Sequence, residues 1–146
     1  MTLRDTADES ARSRTYALFS DIFLRGPVDR AGKIVLSLPE FSGLGMPEPE
    51  DERAAEFESL FGFNVFPYAS AFLEPSGRLG METSSFIRTI YESEDIDFHP
   101  SGEVDHVATE LAFLSRLSNE RLDARGAKLD KLDAIAIDFL DHHVLA

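Results

Sequence analysis

The chain contains no cysteine and no tryptophan. Without thiols it can form no disulfide, no zinc knuckle, no cysteine-held iron–sulfur cluster and no thiol nucleophile. No apolar run approaches the ~18 residues that a membrane span needs, so stable membrane insertion is not expected. The opening MTLRDTADESARSRTY has no apolar core of the kind a secretory signal carries, and the cytoplasm is the expected location. Signatures of phosphate and acyl chemistry are missing as well. There is no Walker loop and no Gly-x-Ser-x-Gly elbow, and the lone GLG at 43–45 leads into a Pro-rich acidic loop rather than out of a strand. Basic residues are scarce: 14 Lys and Arg against 27 Asp and Glu leave a formal net charge of -13. A field of that sign repels phosphates and anionic lipid, which disfavours nucleic acid, and it favours basic partners such as an Arg-bearing peptide. It is equally what a highly soluble surface would carry.

What the chain does contain is apolar material at helical spacing. Its 146 residues are 43% hydrophobic and include 12 Phe, enough for one core of ordinary size in a single domain covering 1–146. Tyr16, Phe19, Ile22 and Phe23 form one stripe over residues 7–25, ended by the Gly-Pro break in RGPVD. Asp29 can cap a short second helix through Ile34, Val35 and Leu38. A third helix follows GLGMPEPE, with Glu48, Glu50, Asp51 and Glu52 in its first turns, where the helix dipole favours negative charge, and Phe57, Leu60 and Phe61 inward. Residues 62–80 are the least helical part, yet NVFPYASAFL is too apolar for a solvated loop and is expected to pack on the bundle. A fourth helix spans about 82–94 with Phe86, Ile87, Ile90 and Tyr91. A fifth starts near Gly102 and carries Val104, Val107, Ala108, Leu111, Leu114 and Leu117. A sixth runs from about 128 through Leu129, Leu132, Ile135, Ala136, Phe139 and Leu140, and is still amphipathic where the chain stops at DFLDHHVLA. The reading is an all-α bundle of about six helices.

The residues with chemical potential gather in FHPSGEVDHVATELAF, residues 98–113. His106 and Glu110 stand at i and i+4 on one helical face beside Asp105, and Asp141, His142 and His143 form a second acidic-histidine group. Two such helices can supply a metal site, but the di-metal bundle pattern needs a Glu-x-x-His on each of two helices plus further Glu residues, and the chain offers a single one, Glu103 to His106. The plain alternative is structural. Asp105 in a first turn accepts backbone N–H groups, and His106 with Glu110 is a polar pair on the solvated side.

Three segments in order resemble the TorD/DmsD/NarJ family of redox-enzyme maturation chaperones. EFESLFGFNVFPYASAFLEPSGRLG, residues 56–80, is similar to the family's Leu-Phe helix end leading to a Tyr-x-Ser element. IRTIYESEDIDF, residues 87–98, is like its helix ending in Tyr before an acidic turn. VDHVATELAFLSRL, residues 104–117, resembles its Pro-Asp-His segment followed by Glu-Leu and an apolar helix, with Val104 in place of the usual Pro. Family members normally continue through further helices after the segment matching FLDHHVLA. The resemblance therefore implies either a shortened member or a core completed by a second copy in a domain-swapped homodimer.

The family resemblance implies an all-helical cytoplasmic chaperone, not an enzyme, with no cofactor of its own. Such a protein binds the catalytic subunit of a molybdopterin oxidoreductase, often through its twin-arginine signal peptide. Carried over by position, the partner-binding residues are Asp105, His106 and Glu110, with Tyr68 and Ser70 from the middle segment. Carboxylates suit paired guanidinium groups, and Phe66, Tyr68, Phe72 and the ends of the fourth and fifth helices offer an apolar groove. Two other readings stand beside this one: a metal-dependent enzyme using His106, Glu110, His142 and His143, and a general acidic interaction module.

Overall fold

A computed structural model describes residues 3–26, 29–41, 43, 49–76, 78–94 and 103–144. Pro100 and Gly102 before the fifth predicted helix, Glu48, and the last two residues lie outside the described residues, as do the side chains of Asp29 and Glu50. Among the described residues there are seven α-helices and no strand: α1 Leu3–Arg25, α2 Asp29–Leu36, α3 Glu50–Glu58, α4 Ala69–Leu73, α5 Met81–Ser93, α6 Val107–Asp123 and α7 Ala127–Phe139. The all-α reading holds, and the additional helix is α4, a single turn inside the stretch expected to be irregular. A 3-10 turn follows α2 at Pro39–Phe41. Both α3 and α7 run on into π turns, Ser59–Asn64 and Leu140–Val144.

The core forms around α6, which buries Ala108, Leu111, Phe113, Leu114 and Leu117. Tyr91 of α5, Phe113 of α6 and Phe139 of α7 meet as an aromatic triad, with centroids 4.7 Å apart for Tyr91–Phe113 and 4.8 Å for Phe113–Phe139, both edge-on. Edge-to-face rings add about 0.5–1.5 kcal/mol per pair beyond their burial. The buried Tyr91 hydroxyl needs an acceptor and donates to the Val104 carbonyl at 3.1 Å, tying α5 to the turn before α6.

α1 lies along α6 through small residues rather than through its aromatic stripe. Ser13 Oγ donates to the Ser115 carbonyl (3.0 Å) and Ser115 Oγ to the Ser13 carbonyl (2.9 Å). Two turns on, Ser20 Oγ donates to the Ala108 carbonyl at 2.7 Å. Moving up α1 while moving down α6 makes the pair antiparallel, and serine and alanine at the contact let the backbones approach. The predicted stripe of Tyr16, Phe19, Ile22 and Phe23 is only half-buried. A charged strut supports the same junction: Arg121 of α6 reaches Asp133 of α7 at 2.6 Å and Glu9 of α1 at 3.5 Å.

The helix end at Gly26 is conformational. Its φ of 82° is a left-handed value that L side chains resist, and its N–H closes α1 on the Ile22 carbonyl at 2.8 Å. Several predicted inward residues are instead exposed, among them Phe86, Leu60 and Ile34. The NVFPYASAFL stretch divides. Ala69 and Ser70 are buried, whereas Phe66 is 49% and Phe72 69% exposed.

Candidate functional site

The sequence-predicted residues converge where α4 and α6 begin. Pro67 donates no N–H and biases its predecessor toward extended backbone, so the chain enters α4 as an open segment that can pair sideways. It does so with the turn before α6. The Val107 amide donates to the Pro67 carbonyl (2.8 Å), the Ala69 amide donates to the Asp105 carbonyl (2.9 Å), and Tyr68 and His106 face each other in an isolated antiparallel bridge.

α6 starts at Val107, later than the sequence suggested, and its cap is His106 rather than Asp105. The ring Nδ1 accepts the Ala108 amide at 3.0 Å. Nδ1 can accept only if it carries no proton. Burial pulls the His106 pKa down and outweighs the opposing pull of Glu103 and Asp105, which keeps the ring neutral. The same ring stands edge-on to Tyr68, centroids 5.0 Å apart.

Asp105, freed from capping, turns inward. It is buried, and its Oδ2 accepts both the Ser70 hydroxyl and the Ser70 amide, the latter at 3.2 Å. Ser70 Oγ also accepts the Gly80 amide at 3.0 Å, so one fully buried hydroxyl ties together α4, the turn before α5 and the turn before α6. The Tyr68 hydroxyl donates to the Glu103 carboxylate. Burial first, then Glu103, pushes its pKa up to about 12, and it remains a donor at any physiological pH.

Glu110 departs furthest from the solvated polar pair expected with His106. It is 2% exposed, and its Oε1 has no hydrogen-bond partner among the described residues. Burial first, then the nearby Asp105 carboxylate, pushes its pKa up to about 8.

Glu110 lies in a groove of about 190 Å³. Phe23 of α1, Phe61 of the first π turn, Pro67 and Tyr68, Ala69 and Phe72 of α4, Val107 of α6, and His143 and Val144 of the second π turn complete its lining. Both π turns thus flank one groove, and π turns occur frequently at functional sites. Close in sequence to the groove-lining Phe61 and Pro67, Phe63 (74% exposed) and Phe66 add exposed apolar surface.

Of the five predicted residues, Tyr68 and Glu110 face the groove, while Asp105, Ser70 and His106 build the junction behind it. Sequence reasoning missed Phe23 and Phe61 as groove walls, because their helical spacing read as core. It placed His143 only in a metal constellation. The available signal was the density of Phe near Tyr68. The metal constellation does not assemble: among the described residues, no group of three or more Asp, Glu or His could hold a metal ion. His142 instead pairs with Asp138 at 3.2 Å, and His143 lies against Phe139 and Phe86 at 5.0 and 5.6 Å. Among the described residues no helix is long and apolar enough to cross a membrane.

The family model described as nitrate reductase delta subunit matches residues 29–146, so α1 lies outside the match. Neither the curated proteins nor the solved structures contain a match to this chain.

Proposed function

From the premise that this chain belongs to the nitrate reductase delta subunit family of NarJ/TorD-like maturation chaperones, we propose that it binds an Arg-bearing N-terminal or signal segment of a molybdoenzyme catalytic subunit in the groove over Glu110. The family works with molybdoenzyme subunits as a chaperone rather than a catalyst. The client is held in the cytoplasm until its cofactor is in place.

The observation that carries this reading is the buried, unpartnered Glu110 oxygen on the floor of an apolar groove. An apolar segment seats its side chains on Phe23, Phe61 and Phe72, and these contacts supply most of the affinity. A guanidinium group among those side chains meets the carboxyl. The net charge of -13 draws such a segment in and raises its on-rate at low salt. Tyr68 lines the wall, and Asp105, Ser70 and His106 position the turn that presents Glu110. The test has two parts. Affinity capture from native lysate is expected to recover a molybdoenzyme catalytic subunit. Calorimetry with that subunit's N-terminal peptide is expected to show binding that Phe72→Ser weakens, and failure of both sinks the reading.

A further inference from the structure

Two groups lining the groove carry polar atoms that no described residue satisfies. Glu110 presents an oxygen without a partner, and it is 2% exposed. His143, on the second π turn, lines the same groove, and neither of its ring nitrogens has a hydrogen-bond partner among the described residues. No Lys or Arg is among the described residues that line this space. Among the described residues, the elements around Glu110 bring an acid, neutral groups and apolar ones. The turn before α6 brings Asp105, α5 brings the Tyr91 hydroxyl, and the second π turn brings His143. α1 and the first π turn bring Phe23 and Phe61, and the segment into α4 brings Tyr68, whose hydroxyl is committed to Glu103. A carboxyl in such surroundings keeps its proton in the empty groove, because a bare buried anion is costly and no cation among the described lining residues offsets it.

The arriving group can be specified. The groove, at about 190 Å³, is smaller than the ~300 Å³ at which small-molecule sites begin, so it accepts a side chain rather than a nucleotide or cofactor. Burial first, then the neighbouring His142, pulls the His143 pKa down, which leaves a neutral ring with one acceptor nitrogen. One planar guanidinium has donors enough for both a carboxylate oxygen and that nitrogen, and its faces stack on aromatic rings such as those of the walls.

We propose that Glu110, with His143 across the groove, is the receptor for a single arginine side chain of the bound segment, and that Glu110 gives up its carboxyl proton to solvent as that side chain arrives. This rests on the groove being the peptide site. In the bound state a carboxylate faces a guanidinium, in the empty state a carboxylic acid faces no charge, and one proton is the difference. Binding then tightens with rising pH until the carboxyl is already ionised in the free protein.

The experiment is calorimetry on the full chain with a synthetic signal peptide carrying paired arginines, run in buffers of different ionisation enthalpy. Its counterpart has both arginines replaced by citrulline, which keeps the shape without the charge. At pH 7 the arginine peptide is expected to release close to one proton, with affinity rising nearly tenfold between pH 6 and pH 7, the slope that one released proton dictates. The citrulline peptide is expected to bind more weakly and release none. Glu110→Gln is expected to abolish both the proton release and the pH slope. Binding of the arginine peptide without proton release, or a Glu110→Gln variant that keeps the slope, overturns the proposal while leaving the groove as the peptide site. No binding of either peptide at any pH overturns both. If Glu110→Gln folds poorly, carboxyl carbon-13 titration of wild type decides: a Glu110 midpoint unmoved by the peptide overturns the proposal.

Discussion

Ser70 and Asp105, 35 residues apart, hold each other in the buried junction of α4 and α6, the serine hydroxyl and amide both donating to one carboxylate oxygen. With Asp105 only 4% exposed, water cannot replace a lost donor there. Ser70→Ala is expected to destabilise the fold by about 1–3 kcal/mol, the usual cost of leaving a buried polar group short of its partner. Urea unfolding checks this, and an unchanged midpoint would show that the junction does not depend on the bond.

His106→Ala removes the cap of α6 and is expected to cost about 0.5–2 kcal/mol, with His106→Asn recovering most of it. The cap is also pH-dependent. The folded ring has a pKa below its usual value of 6.5, so the contribution is whole above pH 6.5 and is lost as pH falls through the folded value. Thermal melts of wild type and His106→Ala at pH 5 and 7.5 are expected to converge at the lower pH. His106→Asn, whose cap does not titrate, is expected to keep its advantage over His106→Ala at both.

Glu110 has the opposite sign. Its folded carboxyl holds a proton to about pH 8 against an ordinary value of 4.5. Its favourable contribution is therefore full below pH 4.5, declines as pH rises, and is gone above about pH 8. Wild-type urea midpoints are expected to fall over that window, and Glu110→Gln should flatten the curve.

Phe72 is 69% exposed beside the groove, so Phe72→Ser is expected to leave stability within about 0.5 kcal/mol. As an aromatic anchor for a bound segment, its loss is expected to weaken peptide binding by more than about 1 kcal/mol. Parallel melts and calorimetry separate the two effects. Equal binding by the variant would remove Phe72 from the docking surface.

Helix existence was legible where apolar periodicity was strong, as in α5, α6 and α7, because packing and local pattern there agree. Three features escaped it. The α1–α6 contact runs through Ser13, Ser20, Ala108 and Ser115, and small residues carry no hydrophobic signal even though they set the closest approach. The start of α6 was read several residues early, because Asp105 is the commoner capping type, while the tertiary bond to Ser70 claims its carboxylate and leaves capping to His106. Glu110 was read as solvated from its spacing to His106. Its burial depends on α1, α4 and the second π turn closing over it, which no local pattern encodes. The sequence therefore pointed to Tyr68, Ser70, Asp105, His106 and Glu110, but not to which of them face the groove, nor to Phe23, Phe61 and His143 as its walls.

Ser13 and Ser115 are 102 positions apart, which has a consequence for synthesis. At about 5–20 residues per second, the partner that α1 needs emerges from the ribosome roughly 5–20 s after α1 itself. During that interval the face of α1 that later meets α6 has no intramolecular occupant. α1 is thus seated well after it is made, and long-range closures of this kind slow folding relative to local helix pairing. Until Ala108 and Ser115 have been made, α1 has nowhere on α6 to dock.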